Sequence, residues 1–244
     1  FLLPEINNII NDINITHNKK NNLSISVTLN SYLNNVKKQI DENSDNWDFI
    51  KKYTNPFEFI HTIIPGNKTS VSKLKPLSRS FYKMIEISNL LNIFENYRNC
   101  NINTFHLAEG PGGFIEATTY MRNNENDTYK GMTLINEDPN VPGWKKSEYF
   151  LNKHKNVSIE YGATGTGDLL KIENLKFCYE KYHNSMDIIT ADGGFDFSVD
   201  FNQQEILATK LLFAQVSFAL MMQKKEGHFI LKIFKEVCFF FIHS

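Results

Sequence analysis

Residues 103–117 read Asn-Thr-Phe-His-Leu-Ala-Glu-Gly-Pro-Gly-Gly-Phe-Ile-Glu-Ala, and this stretch decides the fold of the chain. It predicts an apolar strand, then an acid, Glu109, then a turn rich in glycine, and then the start of a helix. Glycine reaches positive φ without a steric penalty and lets a ligand approach the backbone, and the first turn of a helix offers free N–H groups. This order predicts a nucleotide-type cofactor site at the carboxyl end of a parallel strand. The structural alternative is a glycine turn that serves only close packing of strand and helix.

The turn does not by itself specify the cofactor. Residues 110–115, Gly-Pro-Gly-Gly-Phe-Ile, do not fit the G-x-G-x-x-G fingerprint of dinucleotide-binding proteins, and the chain has no Walker-type G-K-[ST]. An NAD-dependent oxidoreductase is therefore disfavoured.

Length and composition limit the class of protein. The 244 residues, with 41% hydrophobic and 22% charged side chains, suit one large α/β domain with a smaller extension. A net charge of −1 means that any nucleic-acid surface must be a local basic patch. Three cysteines lie far apart and predict neither a disulfide framework nor a metal site, which favours a reducing compartment.

No apolar run approaches the ~20 residues that span a bilayer, and the opening apolar residues are too few for a signal peptide. We expect an intracellular, non-secreted protein, cytoplasmic or nuclear, with no membrane partner.

The spacing of apolar residues divides the chain at about residue 75. Residues 1–75 are rich in Asn, Lys and Asp and predict a helical N-terminal extension. A better helix is predicted over 78–97, capped by Ser78 or Ser80. Beyond it, predicted strands alternate with predicted helices, which indicates a mostly parallel sheet with helices on both faces over residues 76–244. The strands are predicted at 103–109, 130–136, 157–162, 186–192 and 228–234, and the helices at 113–120, 144–153, 173–182 and 202–224.

Three charged residues stand where such a sheet places a site. Asp192 ends a predicted strand and is followed by two glycines, Lys232 interrupts an apolar strand, and Lys83 lies in the predicted helix 78–97. Each has a structural alternative: an Asp-Gly turn, a lysine that protects a sheet edge, and a solvated helix residue. Their order along the chain favours the functional interpretation.

The order of these three residues and of the glycine-rich turn along the chain resembles that in the FtsJ-like RNA ribose 2′-O-methyltransferases. The resemblance is strongest to the branch of cap-specific mRNA methyltransferases. Five segments between about residues 75 and 235 carry the resemblance, namely 109–114, 130–134, 165–169, 192–196 and 230–234. The resemblance implies a Rossmann-like class I S-adenosylmethionine-dependent methyltransferase fold. It also implies RNA as the partner, at the capped 5′ end of mRNA, together with a protein partner from the capping apparatus.

The resemblance also implies the residues of the site. The catalytic residues would be Lys83, Asp192 and Lys232, and S-adenosylmethionine would be held by Glu109, Gly110, Pro111, Gly112, Gly113, Phe114, Asp168 and Asp192. No metal is required by this chemistry. The family's fourth catalytic residue, a late Glu, has no counterpart in this sequence, so the C-terminal strands are predicted to be incomplete. Two alternatives stay open: a ribosomal RNA 2′-O-methyltransferase, and an inactive domain that binds RNA or cofactor beside a capping enzyme.

Methyl transfer to a ribose hydroxyl needs alignment and a base that takes the hydroxyl proton. Burial and a second cation nearby both make a lysine easier to deprotonate. We therefore assign Lys232 as the base, Asp192 as the orienting group and Lys83 as the neighbouring cation that tunes the base. The nearest basic cluster for RNA is Lys73, Lys75 and Arg79, with a solvated charge run as its alternative.

Overall fold

The structure is a computed structural model that describes residues 26–41, 46, 50, 53–137, 141, 143–194 and 204–233. The chain divides into two compact units, Phe1–Pro56 and Phe57–Ser244. In the first unit, helix α1 spans Val27–Asp41. The predicted domain boundary near residue 75 stays a prediction. No helix in the described parts of the chain is both long and apolar enough to cross a membrane.

The described residues of the second unit form a sheet of five parallel strands, which confirms the predicted parallel sheet. Its strand order is β3-β2-β1-β4-β5, so the order reverses beside the central strand β1. Connections leave β1 and β4 towards opposite faces at this point, and a crevice opens there at the carboxyl ends of the strands. The strands are β1 (Asn103–Leu107), β2 (Thr128–Met132), β3 (Val157–Ile159), β4 (Met186–Ala191) and β5 (Gln223–Leu231).

Helices cover both faces of this sheet, as the alternating pattern predicts. On one face, Phe81 and Met84 pack with Phe114 and Ile188, and on the other face Phe105 packs with the residues of the last two helices. Burial of each such side chain stabilises the fold by about 1.5–3 kcal/mol. The helices of this unit are α2 (Ser80–Leu90), α3 (Gly113–Arg122), α4 (Glu148–Lys153), α5 (Ile172–Tyr182) and α6 (Gln204–Met222).

Helix α2 is shorter than the predicted helix over 78–97. It ends at Leu90, and Asn92 then takes the left-handed conformation at φ 51°, which stops an α-helix. A 3-10 turn follows at Glu95–Tyr97. The predicted cap is also absent: the hydroxyls of Ser78 and Ser80 bond to each other at 2.5 Å, and no side chain caps the helix.

Strand β2 begins two residues before the predicted 130–136 and ends at Met132. A buried carboxylate, Asp127, fixes its start. One oxygen of Asp127 accepts the Ile102 N–H at 2.9 Å, and the other accepts Arg122 Nε at 2.7 Å. Burial alone would raise the pKa of Asp127, but the hydrogen bonds from Arg122 and the other donors outweigh it and hold that pKa below its usual value. These contacts join the starts of β1 and β2 through residues that the apolar pattern does not reveal.

Candidate active site

Asp192 lies at the centre of a charged cluster in the crevice. Asp192 directly follows β4, and Lys232 directly follows β5. The two strands remain hydrogen-bonded at this point, because the Lys232 N–H donates to the Ala191 carbonyl at 2.9 Å. The Lys232 ammonium lies 2.5 Å from Asp192 Oδ1, and the Lys83 ammonium, from helix α2, lies 3.9 Å from Asp192 Oδ2. The fold thus brings together the three predicted catalytic residues, which are far apart in sequence.

The electrostatics of the cluster depend on two ammonium groups that share one carboxylate. The side chains of Asp192 and Lys232 are 13% and 20% exposed, and that of Lys83 is 42% exposed, so the cluster is sheltered but open to a substrate. Burial lowers the pKa of Lys83 below its ordinary value; Asp192 opposes this effect, and the positive charge of Lys232 adds to it. The Lys83 ammonium therefore loses its proton more readily than that of a free lysine.

The backbone after Asp192 is fixed by a hydrogen bond and close packing at Gly193. The Gly193 N–H donates to Gln215 Oε1 at 3.1 Å, and a Cβ at Gly193 would lie only 2.5 Å from the Ala108 Cβ. Gln215 is 2% exposed and lies within helix α6. Sequence reasoning missed Gln215; its one signal was a polar residue within a strongly apolar helical run.

Glu109 is buried at the start of helix α3. Its side chain accepts the Ile115 N–H at 2.9 Å, and its backbone N–H donates to the Met132 carbonyl at 3.1 Å. Burial raises the pKa of Glu109 to about 8, although the N–H groups of α3 oppose the shift; the Asp192 carboxylate adds to it. Without a cation beside it, this carboxyl group is mostly protonated at neutral pH, and a cationic ligand would favour its ionised form.

The glycines of the turn after β1 have different roles. Gly112 has φ 111°, a conformation that L side chains rarely adopt. A Cβ at Gly113 would lie 2.0 Å from Ser80 Oγ and 2.2 Å from Ser78 Oγ, so Gly113 lets the start of helix α2 pack against α3. The packing alternative therefore describes Gly113, while Gly112 supplies the sharp turn.

The other predicted residues of the turn are anchored by the protein around them. The Pro111 carbonyl accepts a hydrogen bond from the Ser147 hydroxyl, and Phe114 is 1% exposed in the core below the turn. Gly110 stands half-buried between Glu109 and Pro111. These contacts fix the backbone course of the turn at the mouth of the crevice.

Asp168 lies in a loop that packs on the end of β2. The Ile135 N–H donates to the Thr166 carbonyl at 2.7 Å, and a Cβ at Gly167 would lie 2.0 Å from the Thr133 carbonyl oxygen. Asp168 is half-buried, and its Oδ1 accepts the Leu170 N–H at 2.9 Å. Its Oδ2 makes no hydrogen bond to any residue that the structure describes, so this oxygen can accept from a ligand.

The predicted basic cluster is partly occupied by an ion pair. Arg79 lies 3.2 Å from Glu58, whereas Lys73 and Lys75 are exposed. The residues around Asp196, and the stretch after residue 233 in which the late Glu was sought, lie outside the described residues.

Comparison with known proteins identifies the family. The model of the FtsJ-like methyltransferase family matches residues 76–241, and the chain belongs to this family, whose methyl donor is S-adenosylmethionine. The curated relatives include cap-specific mRNA (nucleoside-2′-O-)-methyltransferase 2 of Danio rerio, 25% identical over 95% of this chain and 31% of the relative. They also include cap-specific mRNA (nucleoside-2′-O-)-methyltransferase 1 of Trypanosoma brucei brucei, 29% identical over 51% of this chain and 33% of the relative. The enzyme of the same name from Bos taurus is 32% identical over 52% of this chain and 16% of its own length. The chain thus spans a third or less of these relatives.

Proposed function

We propose that this protein transfers the methyl group of S-adenosylmethionine to a ribose 2′-OH of RNA, at a cap-proximal nucleotide of mRNA. The observation that carries the proposal is the cluster in which Lys83 and Lys232 converge on Asp192 at the carboxyl ends of β4 and β5. Family membership supports methyl transfer, and the cap-specific relatives support the choice of RNA.

The residues around the crevice fit the cofactor. Glu109 offers a buried carboxyl group that a cation would ionise, and Asp168 offers a carboxylate oxygen to which no described residue donates. We propose that Glu109 faces the ammonium of the methionine moiety and that Asp168 accepts from the adenine amino group. S-adenosylmethionine, when bound, supplies an electrophilic methyl group on a sulfonium.

The protein's task is then to align the ribose hydroxyl and to remove its proton. Among the described residues, the cluster holds two ammonium groups and one carboxylate. We assign the base to Lys232, because its Nζ lies 2.5 Å from Asp192 Oδ1 and its side chain is the less exposed of the two lysines. Lys83 is the second cation of the cluster, 3.9 Å from Asp192, and we propose that it faces the incoming RNA. A base in hydrogen-bonding reach of the hydroxyl contributes about 10²–10⁴ in rate.

The exposed lysines Lys73 and Lys75 precede helix α2, which carries Lys83, and we propose that they contact RNA phosphates. An intracellular location and a partner from the capping apparatus belong to the same proposal, because the cap forms on mRNA inside the cell.

Transfer of a tritiated methyl group to short RNAs with and without a cap tests the proposal. Nuclease digestion of the product then locates the methyl group. We expect label on the 2′-O of a nucleotide next to the cap, and only in capped RNA. Equal labelling of uncapped ribosomal RNA fragments would favour the ribosomal alternative. Cofactor binding without transfer to any RNA would favour the inactive binding partner.

A further inference from the structure

A fully buried amide, Asn174, joins the two ends of the loop that carries Asp168. Asn174 lies in the first turn of helix α5 and is 0% exposed. Its Oδ1 accepts the backbone N–H of Thr164 at 2.9 Å and the Thr164 hydroxyl at 3.0 Å, and its Nδ2 donates to the Asp168 carbonyl at 2.9 Å. One side chain thus satisfies two donors and one acceptor of the loop.

The loop has little freedom to move away from Asn174. Gly162 passes so close that a Cβ there would lie 2.5 Å from Asn174 Oδ1. On the other side, Gly167 rests against the Thr133 carbonyl. The start of helix α5 fixes Asn174 in turn, since the Asn174 backbone N–H donates to the Lys171 carbonyl at 3.1 Å.

The hydrogen bond from Asn174 acts on Asp168, the residue whose side chain is proposed to contact the adenine. The Asp168 carbonyl is held by Asn174 Nδ2, and Asp168 Oδ1 is turned back to the Leu170 N–H. With the peptide unit and one carboxylate oxygen both fixed, Oδ2 has a defined direction. Direction decides selectivity, because a hydrogen bond weakens steeply when its angle falls below about 120°.

We propose that Asn174 is a positioning residue that directs the Asp168 carboxylate at the adenine amino group and so sets the selectivity of the site for adenine. The inference rests on the proposed function, in which Asp168 accepts from adenine. An amino group at position 6 of the purine donates to this oxygen, whereas a keto oxygen at the same position faces it as a second acceptor and is rejected.

The test compares the affinities of S-adenosylhomocysteine and S-inosylhomocysteine, which differ at that position, by calorimetry. Wild-type protein is expected to prefer the adenosyl ligand roughly ten- to a hundredfold. Asn174→Ala should weaken the adenosyl ligand at least fivefold and leave the inosyl ligand within twofold. Asn174→Asp, which keeps the acceptor for Thr164 and loses the donor to Asp168, should behave in the same way, and thermal unfolding checks that each variant is folded.

Two controls separate direction from general damage. Gly167→Ala forces the loop away from the Thr133 carbonyl and should weaken the binding of both ligands alike. Glu173→Gln changes an exposed neighbour on the same turn of α5 and should leave both affinities unchanged. The inference is overturned if Asp168→Ala abolishes the preference for the adenosyl ligand but the Asn174 variants keep it. It is also overturned if Asp168→Ala abolishes the preference and the Asn174 variants weaken the binding of both ligands equally. If Asp168→Ala keeps the preference, or if the wild type binds neither ligand, the proposed cofactor site is wrong and the inference falls with it.

Discussion

Lys232→Arg separates the proton-accepting role of the lysine from its charge. A guanidinium can keep the contact with Asp192, which is 2.5 Å in the native cluster, but it stays protonated at any working pH. The second ammonium, on Lys83, lies 3.9 Å from the same carboxylate. At this distance two charges interact by about 1 kcal/mol in water and about 4 kcal/mol at an effective dielectric constant of 20. Because the substitution preserves all of these charges, fold and cofactor affinity should change by less than about 1 kcal/mol.

The rate should fall much further, since the base is lost. We expect a decrease of about 10²–10⁴, which raises the barrier by about 2.7–5.4 kcal/mol at 1.36 kcal/mol for each tenfold change. Single-turnover transfer of a tritiated methyl group, at saturating cofactor and RNA, measures this rate. Lys176→Arg, on an exposed position of α5, is the matched control and should keep the wild-type rate.

A Lys232→Arg protein with more than about a tenth of the wild-type rate would refute the assignment. Loss of activity in Lys83→Arg alone would place the base at Lys83.

Three further predictions concern stability. Burial raises the pKa of Glu109 from 4.5 to about 8, so the folded state holds a proton that the unfolded chain loses, and the free energy of unfolding should decrease as pH rises from about 4.5 to 8. In urea unfolding, Glu109→Gln should match the wild type near pH 5 and exceed it near pH 8; equal stability at both would contradict the buried carboxyl. Gly112→Ala should lower the free energy of unfolding by about 1–3 kcal/mol, because Gly112 has φ 111°. Gly143→Ala is the control and should have a small effect, since no atom lies within 4 Å of the added Cβ. Similar melting temperatures for the two variants would refute this prediction. Asp127→Ala leaves the Arg122 side chain, 6% exposed, without its carboxylate and should destabilise by about 3–5 kcal/mol in chemical unfolding; a loss below 1 kcal/mol would show that the pair is dispensable.

The sheet could be predicted from the sequence because its signals are local. The mostly apolar residues 186–191 form a buried strand, and the turn after Glu109 is signalled by glycines that lie close together in the chain. The alternation of strands and helices then limits the topology to a parallel sheet. Where the local signal was ambiguous, the prediction was wrong in detail: helix α2 ends at Leu90 because Asn92 turns left-handed, which the apolar spacing does not encode.

The sequence by itself determined the class of fold, the edge of the sheet that carries the site, and the three charged residues at that edge. Only the tertiary structure decided how those residues act on one another. The sharing of Asp192 by two lysines, the burial that raises the pKa of Glu109, and the contact of Asn174 with the Asp168 loop all join groups that belong to different elements. Distances, burial and hydrogen-bond direction between such groups depend on how the helices pack on the sheet, and no local pattern of residue types specifies that packing.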